Sequence, residues 1–314
     1  MLDQTMMWLV FGLLMVVMLA IDLGMNRKAH EVSFRQALAW SAIWVSLAMA
    51  FNVGIYVFLG KTKALEFFTG YIIEKSLSVD NLFVFIMIFG YFKIRGGHQA
   101  RILKWGIIGA LVLRALFIFT GIGLLTAFHW MFYLFGALLL FTAWKMAFGG
   151  EEEVHPDKNL LVRLARRLFP FTKRVRGDWF FVRRKGLLVA SPLFLALVMI
   201  ESSDVLFAVD SIPAIFAVTL DPFIVFTSNI FAIMGLRALY FLLASVMGMF
   251  VYLKMGISSI LAFVGGKMIA TAMGYHIPIQ VSLLVIFSCL ALAVAASLFA
   301  GRKGPGQVIP TKHD

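Results

Sequence analysis

Apolar and polar positions alternate along this chain on the scale of whole segments rather than of single helix faces. Nine apolar stretches, at 6–23, 37–59, 67–90, 104–125, 128–148, 192–218, 222–248, 255–274 and 279–300, are separated by polar connections that are mostly short. Runs of about 20 residues match the hydrocarbon thickness of a bilayer, so each stretch predicts a membrane-crossing helix. The pattern therefore predicts an all-α polytopic membrane protein, with residues 1–314 forming a single transmembrane domain. The first stretch, Met6 to Leu23, follows a start whose only charge is Asp3 and is trailed by Arg27 and Lys28. That order reverses the basic leading region of a signal peptide, so this stretch is expected to remain as the first helix.

One connection, residues 149–191, is long and basic. Within it Leu161, Leu164, Ala165 and Leu168 recur at helical spacing, with Arg163, Arg166 and Arg167 on the other side. This predicts a short amphipathic helix over Leu160 to Leu168, suited either to anionic lipid headgroups or to water. Trp179 to Val182 and Leu187 to Ala190 flank Arg183 to Gly186 in the manner of a small β-hairpin. Pro192 then suits the first turn of the sixth span.

Composition fixes the class and charge fixes the orientation. Hydrophobic residues make up 61% of the chain and charged residues 14%, which is too apolar for a soluble domain. Alternate connections hold 21 of the lysines and arginines, against only Lys61 and Lys63 on the other side. By the positive-inside rule the N-terminus lies outside and the C-terminus in the cytoplasm. The net charge of +12 is then mainly a topology signal, and with no basic soluble domain no nucleic-acid partner is expected. Cys289 is the only cysteine, so there is neither a disulfide framework nor a thiolate metal site.

Three local matches recur at nearly constant offset. Asp80-Asn81-Leu82-Phe83 is similar to Asp204-Val205-Leu206-Phe207, and Leu113-Arg114-Ala115-Leu116 is identical to Leu236-Arg237-Ala238-Leu239. Phe141 and Lys145-Met146 match Phe263 and Lys267-Met268 in the same order. These pair spans three to five, residues 67–148, with spans six to eight, residues 192–274. An odd number of spans per unit makes the two copies cross in opposite directions, the inverted repeat of many secondary transporters.

Six carboxylates fall within or at the edge of the spans: Asp22, Glu74, Asp80, Glu201, Asp204 and Asp210. Insertion scales put an aspartate at a helix centre at about 2.5 to 3.5 kcal/mol, so retained acids point to an ion path. The third span mixes Glu74 and Asp80 with Ser78 and Asn81, and the sixth mixes Glu201, Asp204 and Asp210 with Ser203 and Ser211. Residues six apart on a straight helix diverge by roughly 120°, so a break at Ser76 to Asp80 and another before Pro213 are expected to turn these acids towards one ion. The all-oxygen donor set favours a hard divalent cation, Mn²⁺, Ca²⁺ or Mg²⁺, bound as transported substrate rather than as a cofactor. Met199 is the only nearby soft donor and is expected to serve in packing. The competing reading is structural, with Glu74 paired to Lys75, and Asp204 and Asp210 paired to Arg114 and Arg237. That role is expected for the two arginines. Asp22, near the end of the first span, either supports the site or points to water.

At these motifs the chain resembles the TerC family, membrane proteins first associated with tellurium resistance, and within it the bacterial manganese exporters. The resemblance runs through Glu66 to Tyr71 into Glu74 to Phe85, through Ile200 to Thr219 and Asp221 to Asn229, and through Arg27 to Phe34. It implies Mn²⁺ export across the bacterial inner membrane, with Glu74, Asp80, Glu201, Asp204 and Asp210 as the ion site. The chain lacks the Gly-x-x-x-x-Gly-Lys-Ser/Thr pattern that would couple ATP, so exchange with protons is expected. It also lacks the Gly-x-Gly-Asp pattern of intramembrane aspartyl proteases, so transport rather than catalysis is expected. The alternatives are export of another hard cation such as calcium, or a scaffold or metallation partner acting through the basic loop.

Overall fold

The computed structural model describes residues 4–24, 33–94, 96–149, 159–172, 179–184, 187–246 and 252–301. The resembling segment from Arg27 to Phe34, much of the basic loop and the basic tail lie largely or wholly outside them. In chain order the helices are α1 (Gln4–Gly24), α2 (Phe34–Leu59), α3 (Lys61–Tyr91), α4 (Gly96–Ala127), α5 (Met131–Phe148) and α6 (Leu160–Leu168). After strands β1 (Phe181–Arg184) and β2 (Leu187–Ala190) come α7 (Pro192–Phe216), α8 (Pro222–Ile233), α9 (Leu236–Val246), α10 (Leu253–Ala272) and α11 (Ile279–Gly301). The fold is an all-α polytopic membrane protein. Seven of these helices are long and apolar enough to cross a bilayer, and α8 with α9 makes an eighth crossing as a bent pair. At 31 residues α3 is also long enough to span, and what sets it apart is the charge of Glu74, Lys75 and Asp80 in its middle.

The amphipathic segment is helical over the predicted residues, with Asn159 capping its first turn through a bond from the Val162 amide. Val162 and Ala165 are buried, while Leu161, Leu164 and Leu168 stay exposed. The hairpin also forms, but its first strand runs two residues beyond the predicted one, pairing Arg183 with Leu188 and Arg184 with Leu187. Backbone pairing carries on through the two arginines because the ladder uses main-chain groups and is indifferent to their charge. Pro192 stands in the first turn of α7, as expected.

Two expected breaks are absent, and one arises elsewhere. Through Ser76 to Asp80, α3 remains an unbroken helix, with the Ser76 hydroxyl donating to the Ile72 carbonyl. Pro213 stays inside α7, three residues from its end, and the helix runs through it although the Val209 carbonyl loses its helical donor. The break falls instead in the seventh span, where α8 and α9 meet at 44°. Gly235 makes that bend with φ of +76°, a left-handed conformation that favours glycine.

Helices meet where small residues let backbones approach, as expected where lipid removes most of the hydrophobic drive to associate. A side chain on Gly265 in α10 would strike the Gly136 carbonyl of α5 at 2.9 Å. Gly70 of α3 faces Ser228 of α8, and Gly106 and Gly109 of α4 face Ile200 and Glu201 of α7. These contacts draw α3, α4, α7 and α8 around one central space.

A Cβ at Gly235 would collide with the Trp44 ring of α2 in addition to straining the backbone. Gly235→Ala is therefore expected to lower stability by about 2 kcal/mol or more, since the left-handed conformation alone costs an ordinary residue roughly 1–2 kcal/mol. Thermal unfolding of the detergent-solubilised variant checks this, and a melting temperature equal to wild type would count against the strained turn.

Candidate functional site

The central space is polar. Along α3, Tyr71, Glu74, Ser78 and Asn81 follow one another at three- and four-residue steps and are all buried. Along α7, Asp204, Ala208 and Ser211 do the same. Between the two helices stands Arg114 of α4, 1% exposed, beside Glu74 at 0% and Asp204 at 6%.

Arg114 joins the two acidic motifs. One terminal nitrogen donates to Glu74 Oε1 and, at 3.4 Å, to Asn229 Oδ1 of α8, while the other reaches Asp204 Oδ1 at 3.4 Å. The Asn229 amide donates to Glu74 Oε2 at 3.2 Å, which closes the group from a fourth helix. Arg114 was expected to pair with Asp204, and it does. Glu74 takes Arg114 rather than Lys75, whose ammonium donates to the Ala232 carbonyl at 3.1 Å.

Several polar atoms in this space are buried without a hydrogen-bond partner. They are the Tyr71 hydroxyl, Ser78 Oγ, Arg114 Nε, Asp204 Oδ2 and Ser211 Oγ. A buried polar atom left unpaired costs about 1–3 kcal/mol, so Arg114 Nε and Asp204 Oδ2, left open at the contact itself, are kept at a cost to stability.

The remaining predicted residues lie at other stations. Glu201 is half-buried, and its carboxylate packs into the recess left by Gly109 of α4, one turn along α7 from Asp204. Beside it Ser202 accepts a 2.9 Å bond from the Asn159 amide, which ties the start of α6 to the acidic motif. Ser203 is turned back on its own helix, donating to the Met199 carbonyl at 2.9 Å, and Met199 itself is buried in apolar packing, as expected. Asp80 is half-buried and is not among the partners of Arg114. Asp210 lies two turns beyond Asp204 and accepts from Thr142 Oγ1 of α5 at 2.9 Å. Because α3 and α7 are unbroken, acids six residues apart diverge, and among the described residues no three acidic, histidine or cysteine side chains gather closely enough to hold a metal ion.

Asp22 and Arg237 correct two expectations together. Asp22 is buried rather than turned to water, and Arg237 donates to its carbonyl and lies 3.6 Å from its carboxylate. The chain thus provides the second arginine with a counter-charge from α1.

Another polar region lies at the opposite end of α3. Lys63 bonds to Glu66 at 3.0 Å and Asp221 at 2.8 Å, and Thr219 donates to Glu66 at 2.8 Å. Burial lowers the pKa of Lys63, but the hydrogen bonds to Asp221 and Glu66 outweigh it and leave the ammonium above the ordinary lysine range. A cavity of about 390 Å³ opens next to this group, lined by Glu66, Thr219, Lys267 and His276 among others. None of the predicted acids lines it.

Asn229, Thr142 and Gly109 are candidate functional positions that no sequence pattern singles out. Asn229 lay inside a resembling stretch, and its polarity in an apolar run was the available signal. Nothing in the sequence marked Gly109 or Thr142, because their importance comes from which helix lies opposite.

A buried ion pair that loses one partner leaves an uncompensated charge, at a cost of about 3–5 kcal/mol. Glu74→Gln and Arg114→Gln are each expected to lower the melting temperature of the metal-free protein, and the double variant to lower it by less than the two single effects combined. A thermal double-mutant cycle measures this, and strict additivity would show that the two groups are not coupled.

Comparison with known proteins agrees with this membrane architecture. Residues 59–304 match the family model described as integral membrane protein TerC family. An uncharacterised membrane protein of Myxococcus xanthus is 50% identical over 300 residues, covering 95% of this chain and 94% of its own. The proposed membrane-bound redox modulator Alx of Escherichia coli strain K12 is 50% identical over 296 residues, covering 91% and 92%. A membrane protein of Rickettsia bellii is 39% identical over 297 residues, covering 93% and 97%. No solved structure matches the chain. The matched region takes in the acid-bearing helices α3 and α7, Arg114 between them and every later span, and the chain belongs to the TerC family of integral membrane proteins.

Proposed function

We propose that this protein is a secondary transporter of the bacterial inner membrane that exports Mn²⁺ from the cytoplasm in exchange for protons, with Glu74 and Asp204 at the centre of its ion path. The observation that carries the reading is the buried seam in which acids of both motifs, Asn229 and a set of unpartnered oxygens converge between four helices. Oxygen donors of this kind suit a hard divalent cation, and intramembrane acids are the usual parts of ion and proton paths. Glu201 and Asp210, on either side of Asp204 along α7, would extend the path in both directions, and Asp80 would do so along α3. Ser78 and Ser211 offer further oxygens.

The pattern of neighbouring helices supports an inverted repeat and, through it, the same reading. α3 packs on α8 while α4 packs on α7, and α3 with α7, α4 with α8 and α5 with α10 also meet. Exchanging spans three to five with spans six to eight leaves this pattern of neighbours unchanged, which is what a two-fold axis in the membrane plane would produce. The basic helix α6 would rest on anionic headgroups, with its exposed leucines in the acyl boundary and Arg163 and Arg167 at their edge.

The redox role in the name of the Escherichia coli relative has a narrow basis here. With Cys289 alone the chain can form no internal disulfide, so an effect on redox state would follow from metal levels rather than from its own thiol exchange.

Purified protein in proteoliposomes loaded with a pH-sensitive dye tests the proposal. A Mn²⁺ gradient is expected to drive protons opposite to the metal, because a cation entering a cluster of acids displaces protons from them. Asp80→Asn and Asp204→Asn should reduce both fluxes by about tenfold or more while the protein still inserts, since each removes a charge at constant volume. Metal movement without proton counterflow would remove the exchange mechanism, and transport of Ca²⁺ in place of Mn²⁺ would change the substrate. Absence of any flux from correctly inserted protein would favour a scaffold or metallation partner.

A further inference from the structure

We propose that Arg114 is a tethered substitute for the transported cation, occupying the site between Glu74, Asp204 and Asn229 when metal is absent and moving to Glu201 when metal enters. The inference rests on the transport reading above and assigns a role to a residue that reading leaves unexplained. A permanent cation in the middle of a cation path would repel the substrate, so Arg114 is either misplaced there or mobile.

The oxygens that hold Arg114 are those a divalent ion would use. Glu74 Oε1, Asp204 Oδ1 and Asn229 Oδ1 come from three helices and both acidic motifs, and all three converge on one guanidinium. Two positive groups cannot share the same pair of carboxylates in a medium that screens charge weakly. Metal entry therefore requires the arginine to leave.

The present contact is also incomplete. Fully committed arginine–carboxylate pairs are commonly bidentate, with the fork of donors matched to both oxygens. Here Arg114 Nε and Asp204 Oδ2 are buried with no partner, and the Asp204 contact is long at 3.4 Å. The site is neutralised without being closed.

A second carboxylate lies within reach. Glu201 is three residues before Asp204 on α7 and packs against Gly109, five residues before Arg114 on α4. Residues three apart share a helix face with Cβ atoms about 5–6 Å apart, so Glu201 stands one turn from the carboxylate that the flexible arginine already contacts. Glycine at 109 is what makes the recess, because a Cβ there would overlap the Glu201 carboxylate. The corresponding arginine of the second half, Arg237, donates to the Asp22 carbonyl and lies 3.6 Å from a carboxylate with no hydrogen bond of its own, so it is held by a backbone group that carries no charge for a cation to compete for.

A double-mutant cycle on Mn²⁺ binding to the purified full-length protein in nanodiscs separates this role from simple charge pairing. Arg114→Gln is expected to bind Mn²⁺ about tenfold tighter than wild type or better, because no competing cation has to be displaced. Glu201→Gln should bind about tenfold weaker, since the arginine then has no second station, and this effect should shrink to about threefold, its direct part in the path, when Arg114 is already glutamine. Mn²⁺ should also raise the melting temperature of Arg114→Gln more than that of wild type. Should Arg114→Gln fail to insert, Arg114→Lys serves, since a shorter point charge cannot bridge the two carboxylates and is expected to bind about threefold tighter than wild type. Equal weakening by Glu201→Gln in both backgrounds, or no tightening in either Arg114 variant, would overturn the proposal and leave Arg114 as a fixed ion pair. Wild-type protein that binds no Mn²⁺ would overturn the metal reading as well, which distinguishes that failure from failure of the arginine alone.

Discussion

The burial of Arg114 between Glu74 and Asp204 is the constraint on which the rest of the membrane core depends. A guanidinium in hydrocarbon must meet its counter-charges inside the protein, so α3, α4 and α7 have to approach one another at fixed depths, and Asn229 fixes α8 to the same point. The close packing of these helices through Gly70, Gly106 and Gly109 lets the charges meet. Buried ion pairs rarely stabilise more than well-packed apolar side chains of similar volume. A chain that keeps one, with Asp204 Oδ2 and Arg114 Nε left open beside it, spends stability on holding charge at this depth.

The two halves of the molecule treat their arginines differently. Arg114 sits on the unbroken 32-residue α4, whereas Arg237 follows directly on the bend at Gly235. That bend carries α9 away from α8 and brings Arg237 to Asp22 at the end of α1. Asymmetry of this kind ties Arg237 to a helix near the N-terminus while Arg114 is tied to the acid-bearing helices α3 and α7. It also gives α1 and α2 a structural reason to exist: Trp44 of α2 fills the space beside Gly235, and Asp22 of α1 neutralises the arginine beyond it.

Much of this was legible in the sequence wherever one-dimensional pattern maps directly onto structure. Runs of apolar residues located the spans, leucine spacing located α6, and Pro192 marked the start of α7. Acids in apolar segments drew attention to Glu74 and Asp204, which do meet at one point. The expected convergence of all five acids does not occur, because it assumed breaks in α3 and α7 that local bonds make unnecessary: the Ser76 and Ser203 hydroxyls are satisfied by carbonyls of their own helices. The partner of Asp22 was hidden for a different reason. It lies 215 residues away, and only the bend at a single glycine brings it there.

The central ion pair also has a consequence for how the chain is made. Glu74 emerges from the ribosome 40 residues before Arg114, and Asp204 another 90 residues after that. At about 5–20 residues per second of synthesis, α3 reaches the membrane seconds before the cation that neutralises its most buried acid. Alone it is a poor candidate for insertion, since Glu74, Lys75 and Asp80 all fall in its middle. Entry of α3 and α4 as a helical hairpin, with Glu74 already facing Arg114, removes that obstacle and leaves one arginine edge open for α7. The charge cluster thereby imposes an order on biogenesis, in which the first half of the chain waits at the translocon, half-neutralised, for the second.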